Sequence, residues 1–137
     1  MPALIEIAKR RFRNHSKLGG SLTLTDLIDL FTESYNAGFR CCYCCCDLSL
    51  TQADGHPSDI ASVDHLTATW AGGQNERSNI CVCCVGCNLL KGTVSAGVFR
   101  RIVAAVLDAG GTELWDTYKK EAYVGQLRAK LDRKDAI

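Results

Sequence analysis

The sequence predicts an α+β protein in which helices at both ends of the chain flank a middle segment with two short strands. Apolar residues recur at helical spacing in the first 39 residues and again after residue 92. Between these parts, the chain has little helical periodicity and is rich in Cys, Gly, Asp and Asn. A length of 137 residues suits one domain. We divide it into N-terminal helices at 1–39, a core at 40–92 and C-terminal helices at 93–137.

The N-terminal part predicts two helices. Residues 4–13 have the spacing of a short amphipathic helix, which Gly19 and Gly20 should end. Thr23 is placed to cap the second helix, with Asp26 three residues later as its partner in a capping box. The apolar stripe of this second helix consists of Leu24, Leu27, Ile28, Phe31 and Tyr35.

The middle segment predicts a strand near 60–65, a second strand at 79–83 and a helix that opens near Cys87. The C-terminal part predicts two more helices, and Thr112 is a candidate cap for the last one. Gly125 should weaken that last helix in its middle. The expected apolar stripes are Val98, Ile102, Val103, Val106 and Leu107 in the first of these helices, and Leu114, Trp115, Tyr118, Leu127 and Leu131 in the second.

The net charge of +1 is unevenly distributed along the chain. The N-terminal flank has a basic run without acids, whereas residues 41–92 carry more acidic than basic residues. We therefore expect the flanks to suit a polyanion and the middle to suit a cation. No window is apolar enough to span a bilayer and no secretory signal is present, so we expect a soluble, cytoplasmic protein. The basic run consists of Lys9, Arg10, Arg11, Arg13 and Lys17.

The nine cysteines lie in two tight clusters, at 41–46 and at 81–87. Two Cys-x-x-Cys turns commonly supply the four thiolates of a tetrahedral zinc site, so the clusters predict structural zinc. Buried free thiols or a redox dithiol are the alternatives. Cys81 and Cys83 alternate with apolar residues, as small core residues of a strand do, and Cys42, Cys45 and Cys46 have no assigned role. The possible pairs are Cys41/Cys44 or Cys42/Cys45 with Cys84/Cys87 or Cys81/Cys84.

Asp64, His65 and Asn88 are the residue types that metal-dependent phosphodiester hydrolysis requires. A divalent cation offsets the negative charge of the phosphate, and a neutral His can activate water near pH 7. These three residues can act together if the end of the first strand lies beside the start of the following helix. Cys84 and Cys87 would fix that helix start, which makes zinc a scaffold and not the catalyst.

The order and spacing of these residues resembles the HNH endonucleases. An Asp-His pair is followed by a Gly-Gly pair, an Asn, a Cys-x-x-Cys-Asn sequence and a Lys-Gly pair, and an upstream Cys-x-Tyr-Cys-like turn is also present. The resemblance covers roughly residues 40–92. The matching residues are Asp64-His65, Gly72-Gly73, Asn79, Cys84-Val85-Gly86-Cys87-Asn88, Lys91-Gly92 and, upstream, Cys41-Cys42-Tyr43-Cys44.

The resemblance implies a ββα-metal, treble-clef-like core and cleavage or nicking of DNA. His65 would be the general base, Asp64 and Asn88 would bind a catalytic Mg²⁺ or Mn²⁺, and Asn79 would brace the loop and orient His65. Lys91 would be a phosphate contact. The structural zinc ligands would be Cys41, Cys44, Cys84 and Cys87.

The chain departs from the family pattern at two places. Ala68 stands where a Pro often follows the His, and Val85 and Gly86 stand where basic residues often lie between the two cysteines. Phosphate contacts would then come from the N-terminal basic run. Trp70 is expected to pack on the core, and His56 with Asp59 is interpreted as a loop pair.

Two other classes of function fit parts of the sequence. A non-catalytic zinc module that binds nucleic acid or protein would keep the cysteines and the basic run, but has no need for Asp64, His65 and Asn88. A thiol redox protein would have a titratable dithiol and no stoichiometric zinc. Cutting both DNA strands often needs a dimer, so a second copy of the chain joins DNA as a candidate partner.

Overall fold

A computed structural model describes residues 2–135 as a mixture of helices and one two-stranded antiparallel sheet, which confirms the expected mix of helix and strand. Short 3₁₀ turns lie at Ser16–Leu18, Gln52–Asp54, Pro57–Asp59, Thr69–Ala71 and Arg77–Asn79. Within residues 2–135, no helix combines the length and the apolar character needed to cross a membrane. The elements are α1 (Pro2–His15), α2 (Leu24–Asn36), β1 (Ala61–His65), β2 (Ile80–Cys84), α3 (Val85–Lys91), α4 (Ala96–Asp108) and α5 (Thr112–Asp135).

Helices α1 and α2 pack on each other and on the sheet. The predicted capping box is confirmed: the hydroxyl of Thr23 accepts from the backbone N–H of Asp26 at 3.1 Å, and the Asp26 carboxylate accepts from the Thr23 N–H at 2.9 Å. The apolar stripe buries Leu27 and Phe31 completely. Tyr35 was wrongly included in it, because its ring is exposed and lies against Phe39 beyond the end of the helix.

Strands β1 and β2 lie close to their predicted positions. Val63 pairs with Val82 at the centre, Ala61 pairs with Cys84 at one end, and His65 pairs with Ile80 at the other. Helix α3 follows β2 directly, so it begins two residues before the predicted start at Cys87. The sulfur of Cys84 caps α3 by accepting from the Cys87 N–H at 3.3 Å.

One residue of the N-terminal basic run has a structural role. The guanidinium of Arg11 is half-buried and donates to the carbonyl oxygen of Ala61, from Nε at 3.1 Å and from Nη2 at 2.8 Å. Burial, reinforced by the nearby Arg10 charge, lowers the pKa of Arg11 from its ordinary value. These bonds fasten α1 to the start of β1. The other basic residues of the run, Lys9, Arg10, Arg13 and Lys17, are exposed.

The C-terminal helices bury faces that differ from the predicted stripes. Helix α4 buries Ala96, Phe99 and Val103, and leaves Val98 and Ile102 exposed. Helix α5 continues through Gly125. Among its residues 112–134 it buries Trp115 and Lys119, whereas the predicted core residues Leu114, Tyr118, Leu127 and Leu131 are exposed. Apolar periodicity alone therefore misjudged the environment of these four residues.

Helices α3 and α5 approach each other closely at Gly86. A Cβ atom added to Gly86 would lie 2.5 Å from the Cβ of Lys119, a distance that a packed interior does not tolerate. A glycine at position 86 is therefore required by the packing of α3 against α5. It leaves room for the Lys119 side chain.

Candidate functional site

Four cysteines from three segments meet at the Ala61–Cys84 end of the sheet. Cys41 and Cys44 belong to the turn after α2, Cys84 ends β2, and Cys87 lies in the first turn of α3. Their sulfur atoms all lie within 4.8 Å of one another. Three of them are buried and Cys44 is half-buried. The predicted grouping is confirmed, and it is one that could hold a metal ion such as zinc.

The spacing of the sulfurs fits a tetrahedral metal centre. A Zn–S bond of about 2.3 Å places the sulfurs of a regular tetrahedron about 3.8 Å apart, and the Sγ atoms of Cys44 and Cys84 are 3.9 Å apart. Cys41 Sγ accepts from the backbone N–H groups of Tyr43 at 3.4 Å and of Cys84 at 3.3 Å. Such donors stabilise the thiolate form that zinc requires.

Two side chains of α5 also contact the sulfurs. Trp115 Nε1 donates to Cys87 Sγ at 3.4 Å. Lys119 Nζ lies 3.5 Å from Cys84 Sγ and 3.6 Å from Cys44 Sγ. Four thiolates carry more negative charge than one Zn²⁺ neutralises, so the ammonium offsets part of the excess.

Lys119 is held in this position by a second negative group. Its ammonium lies 3.0 Å from Asp59 Oδ1 and 3.4 Å from Cys46 Sγ, and its side chain is only 2% exposed. Burial works to lower the pKa of Lys119, but the thiolates of Cys84, Cys44 and Cys46 and the Asp59 carboxylate together raise it. The lysine is thus held in its charged form. No sequence pattern pointed to Lys119, because its neighbours come from segments up to 75 residues away.

The side chains of His56 and Asp59 do not form the expected loop pair. His56 Nδ1 lies 2.8 Å from Ser58 Oγ and accepts from the Ser58 N–H, while Asp59 binds Lys119. Their position beside α5 explains the difference, since the ring of His56 also contacts Tyr123.

The spare cysteines have different environments. Cys83 is fully buried, as predicted for a small core residue, and burial raises the pKa of its thiol. Cys81, predicted to be similar, is instead half-exposed and lies 2.8 Å from Cys42, sulfur to sulfur. Cys45 is exposed, and Cys46 lies beside Lys119 and Asp59.

At the opposite end of the sheet, the carboxylate of Asp64 is buried and already paired. The hydroxyl of Tyr43 donates to Oδ2 at 2.5 Å, and Lys91 Nζ lies 3.1 Å from the same oxygen. Burial and the bond to Asp64 raise the pKa of the Tyr43 hydroxyl, which therefore stays protonated. The Lys91 side chain is 1% exposed, so it does not point to the surface as a phosphate contact would.

His65 is oriented by Asn75, a residue that the sequence analysis did not select. Asn75 is buried, and its amide nitrogen donates to the carbonyl oxygens of His15 at 2.9 Å and Gly19 at 2.7 Å. This fixes the amide orientation and directs Oδ1 at His65 Nε2, 3.0 Å away. An oxygen accepts, so Nε2 carries the proton of the neutral ring and Nδ1 is left as the base. The pattern Gly-Gly-x-Asn was a signal that could have identified Asn75.

Asn79 holds the loop after β1 in place. Its Oδ1 accepts from the Thr67 N–H, and its Nδ2 donates to the carbonyl oxygens of Thr67 and Gln74, each at 2.9 Å. Asn88 lies on α3 beside β1, where Nδ2 donates to Ser62 Oγ at 3.1 Å and to the Val63 carbonyl at 3.2 Å. Trp70 lies in the same loop as Asn79, and the expectation that it packs on the core is wrong, because it is 74% exposed.

Comparison of the chain with protein-family models, with curated proteins and with solved structures finds no match.

Proposed function

We propose that this protein is a metal-dependent HNH endonuclease that hydrolyses DNA phosphodiester bonds. The observation that carries the proposal is the fixed tautomer of His65: with Nε2 held by Asn75, a half-exposed ring presents Nδ1 as an acceptor. A neutral imidazole with one free nitrogen is the group that takes a proton from water near neutral pH.

The neighbouring groups support the same chemistry. Asp64 and Asn88 would hold the catalytic Mg²⁺ or Mn²⁺, which would supply charge stabilisation to the scissile phosphate. Their donor types suit a hard cation, since a carboxylate and an amide both offer oxygen. The four-cysteine centre would act as scaffold, because Cys84 and Cys87 fix the start of the helix that carries Asn88.

The N-terminal helix supports DNA as the polyanion. The ring of His15, at the end of α1, lies 5.2 Å from the ring of His65 between centroids. The exposed basic residues Arg13 and Lys17 flank His15 in the sequence. The basic run thus ends beside the proposed base, and phosphate groups bound along α1 would be brought to His65.

A supercoiled-plasmid assay tests the proposal. The zinc-loaded protein should convert plasmid to open-circle or linear DNA with Mg²⁺ or Mn²⁺ and not with EDTA. His65→Ala should lose this activity by 100-fold or more, on the order expected for a general base. His56→Ala is the matched control. The side chain of His56 contacts Tyr123 and Ser58, which have no role in the proposed reaction, so this variant should cut DNA normally. Equal cutting by the two variants, or none by folded wild type, would refute the proposal.

The Asp64–Lys91 ion pair favours a second candidate, a non-catalytic zinc module that binds nucleic acid. In that case Lys91 would be the permanent partner of Asp64, and no divalent cation would bind there. Gel shifts with labelled DNA separate the candidates. Retention of DNA that is unchanged by His65→Ala, together with no cutting in any metal, would identify the binding module.

A further inference from the structure

Cys42 and Cys81 form a pair of thiols outside the four-cysteine centre. Their Sγ atoms are 2.8 Å apart, although the residues are 39 positions apart in the chain. The backbone N–H of Cys42 donates to the Val82 carbonyl at 3.1 Å, which aligns the turn with β2. A disulfide has sulfurs about 2.05 Å apart, so these two atoms need to move less than about 1 Å to bond.

The pair is accessible and is not needed by the metal centre. Both thiols are half-buried, as Cys44 is, whereas the other three grouped cysteines are buried. The four sulfurs that could hold zinc are those of Cys41, Cys44, Cys84 and Cys87, and neither Cys42 nor Cys81 belongs to that group. Zinc bound by the four would protect their thiolates and leave Cys42 and Cys81 as two neighbouring free thiols.

We propose that Cys42 and Cys81 are a reversible dithiol–disulfide site, whose oxidant is a hydroperoxide and whose reductant is a small or protein dithiol. One thiol attacks the peroxide, the O–O bond breaks, and a sulfenic acid and one hydroxyl compound, water for hydrogen peroxide, are formed. The second thiol then attacks the sulfenic sulfur, the S–S bond forms and water leaves. Two thiols lose two electrons in total and the peroxide gains them.

The disulfide would act on both ends of the sheet. It would join the turn that carries Cys41 and Cys44 to β2, which leads to Cys84 and Cys87, so it would tie together the two segments that zinc ties. Cys81 Sγ also lies 3.7 Å from the Tyr43 hydroxyl, which donates to Asp64. Oxidation would therefore change the surroundings of Asp64 without consuming any of the four grouped cysteines.

Peptide mapping of the zinc-loaded protein tests the site. The protein is treated with about one equivalent of hydrogen peroxide, the remaining thiols are alkylated, and a tryptic digest is analysed by mass spectrometry. We expect one cross-link between peptides 41–77 and 78–91, assigned to Cys42 and Cys81 by fragmentation, with zinc still bound. The number of thiols titrated after denaturation and chelation should fall by two from nine, and dithiothreitol should restore it.

Matched variants make the result specific. Cys42→Ser and Cys81→Ser should each abolish the cross-link, while Cys45→Ser, in the same turn but exposed, should keep it. Wild-type protein that gives no cross-link, or one that joins the metal-binding cysteines with release of zinc, would overturn the proposal. Because fragmentation of the wild-type peptide locates the bond directly, the proposal stays testable if a variant fails to fold. It is independent of nuclease activity.

Discussion

The four-cysteine centre lies at one end of the two-stranded sheet and His65 lies at the other. The two sites are built in different ways. At the Cys84 end, the groups that define the site are the four sulfurs, and each comes from a Cys-x-x-Cys turn. At the His65 end, the groups that define the site are the partners: Asn75 for His65, and Tyr43 and Lys91 for Asp64.

The cysteine cluster is thus specified by its own four residues, whereas the tautomer of His65 is specified by the residue that binds its ring. Four thiolates whose sulfur atoms can all reach one ion are sufficient to hold zinc. Neighbouring groups then adjust the net charge of the site. An imidazole becomes a base of defined tautomer only through its hydrogen-bond partner. The two ends should therefore respond differently to mutation.

The largest expected effect is loss of the metal centre. Cys84→Ser, or removal of zinc by a chelator, should abolish the cooperative thermal transition, because metal binding in small domains contributes directly to folding. Circular dichroism melts, with zinc content measured by atomic absorption, check this. Cys45→Ser is the control, and as an exposed substitution it should change the free energy of unfolding by less than about 0.5 kcal/mol. A normal melt for zinc-free protein would contradict the prediction.

The second effect concerns Lys119, whose removal should expose the charge imbalance at the cysteine end. Lys119→Met keeps the buried stem but leaves Asp59 without its cationic partner, so we expect a loss of about 3 kcal/mol in the free energy of unfolding, as for other buried pairs broken on one side. Zinc transfer to a chelator should also become faster. Lys120→Met, which breaks an exposed ion pair with Asp116, should leave the zinc transfer rate unchanged. Equal rates for the two variants would argue against the role of Lys119.

Asn75 offers the corresponding test at the histidine end. Asn75→Asp keeps an acceptor for His65 Nε2 but loses the N–H donors to His15 and Gly19. Asn75→Leu loses both. If His65 is the base, plasmid cleavage should fall in both variants, by about 10-fold to 100-fold for Leu, and less for Asp. Zinc content should stay normal, because Asn75 contacts none of the four cysteines. Loss of zinc from either variant would contradict the separation of the two sites.

The smallest effect is a pH dependence from His15. Burial, followed by the charges of His65 and Arg11, lowers the pKa of His15 from its ordinary value of 6.5. The unfolded chain then binds more protons than the folded one as the pH falls through 6.5, so stability decreases toward acid. Within residues 2–135, His15 Nδ1 has no hydrogen-bond partner, so His15→Gln removes this proton uptake without breaking a bond of that atom. Urea melts between pH 7.5 and 5.5 should show wild type losing stability relative to His15→Gln as the pH falls. A constant difference would show that His15 does not titrate.

Much of the framework was predictable from the sequence because the signals are local. The capping box at Thr23 and the two strands depend on residues a few positions apart, and the structure places them as expected. Spacing alone left several cysteine pairs open, and the structure groups Cys41, Cys44, Cys84 and Cys87. The stripes of α4 and α5 were predicted less well. Periodicity shows which residues share a helix face, but the position of α3 decides which face is covered, and Gly86 lets Lys119 occupy the centre of that contact.

The sequence by itself determined the elements and the type of metal ligand, since backbone capping, strand alternation and Cys-x-x-Cys turns act over short distances. Only the tertiary structure decided which side chains meet: Asn75 with His65, Lys91 with Asp64, Lys119 with the sulfurs, and Cys42 with Cys81. These contacts join residues 10 to 75 positions apart. Packing of α1 and α3 against the sheet, and of α5 against α3, brings them together, and no local pattern records the distances that result.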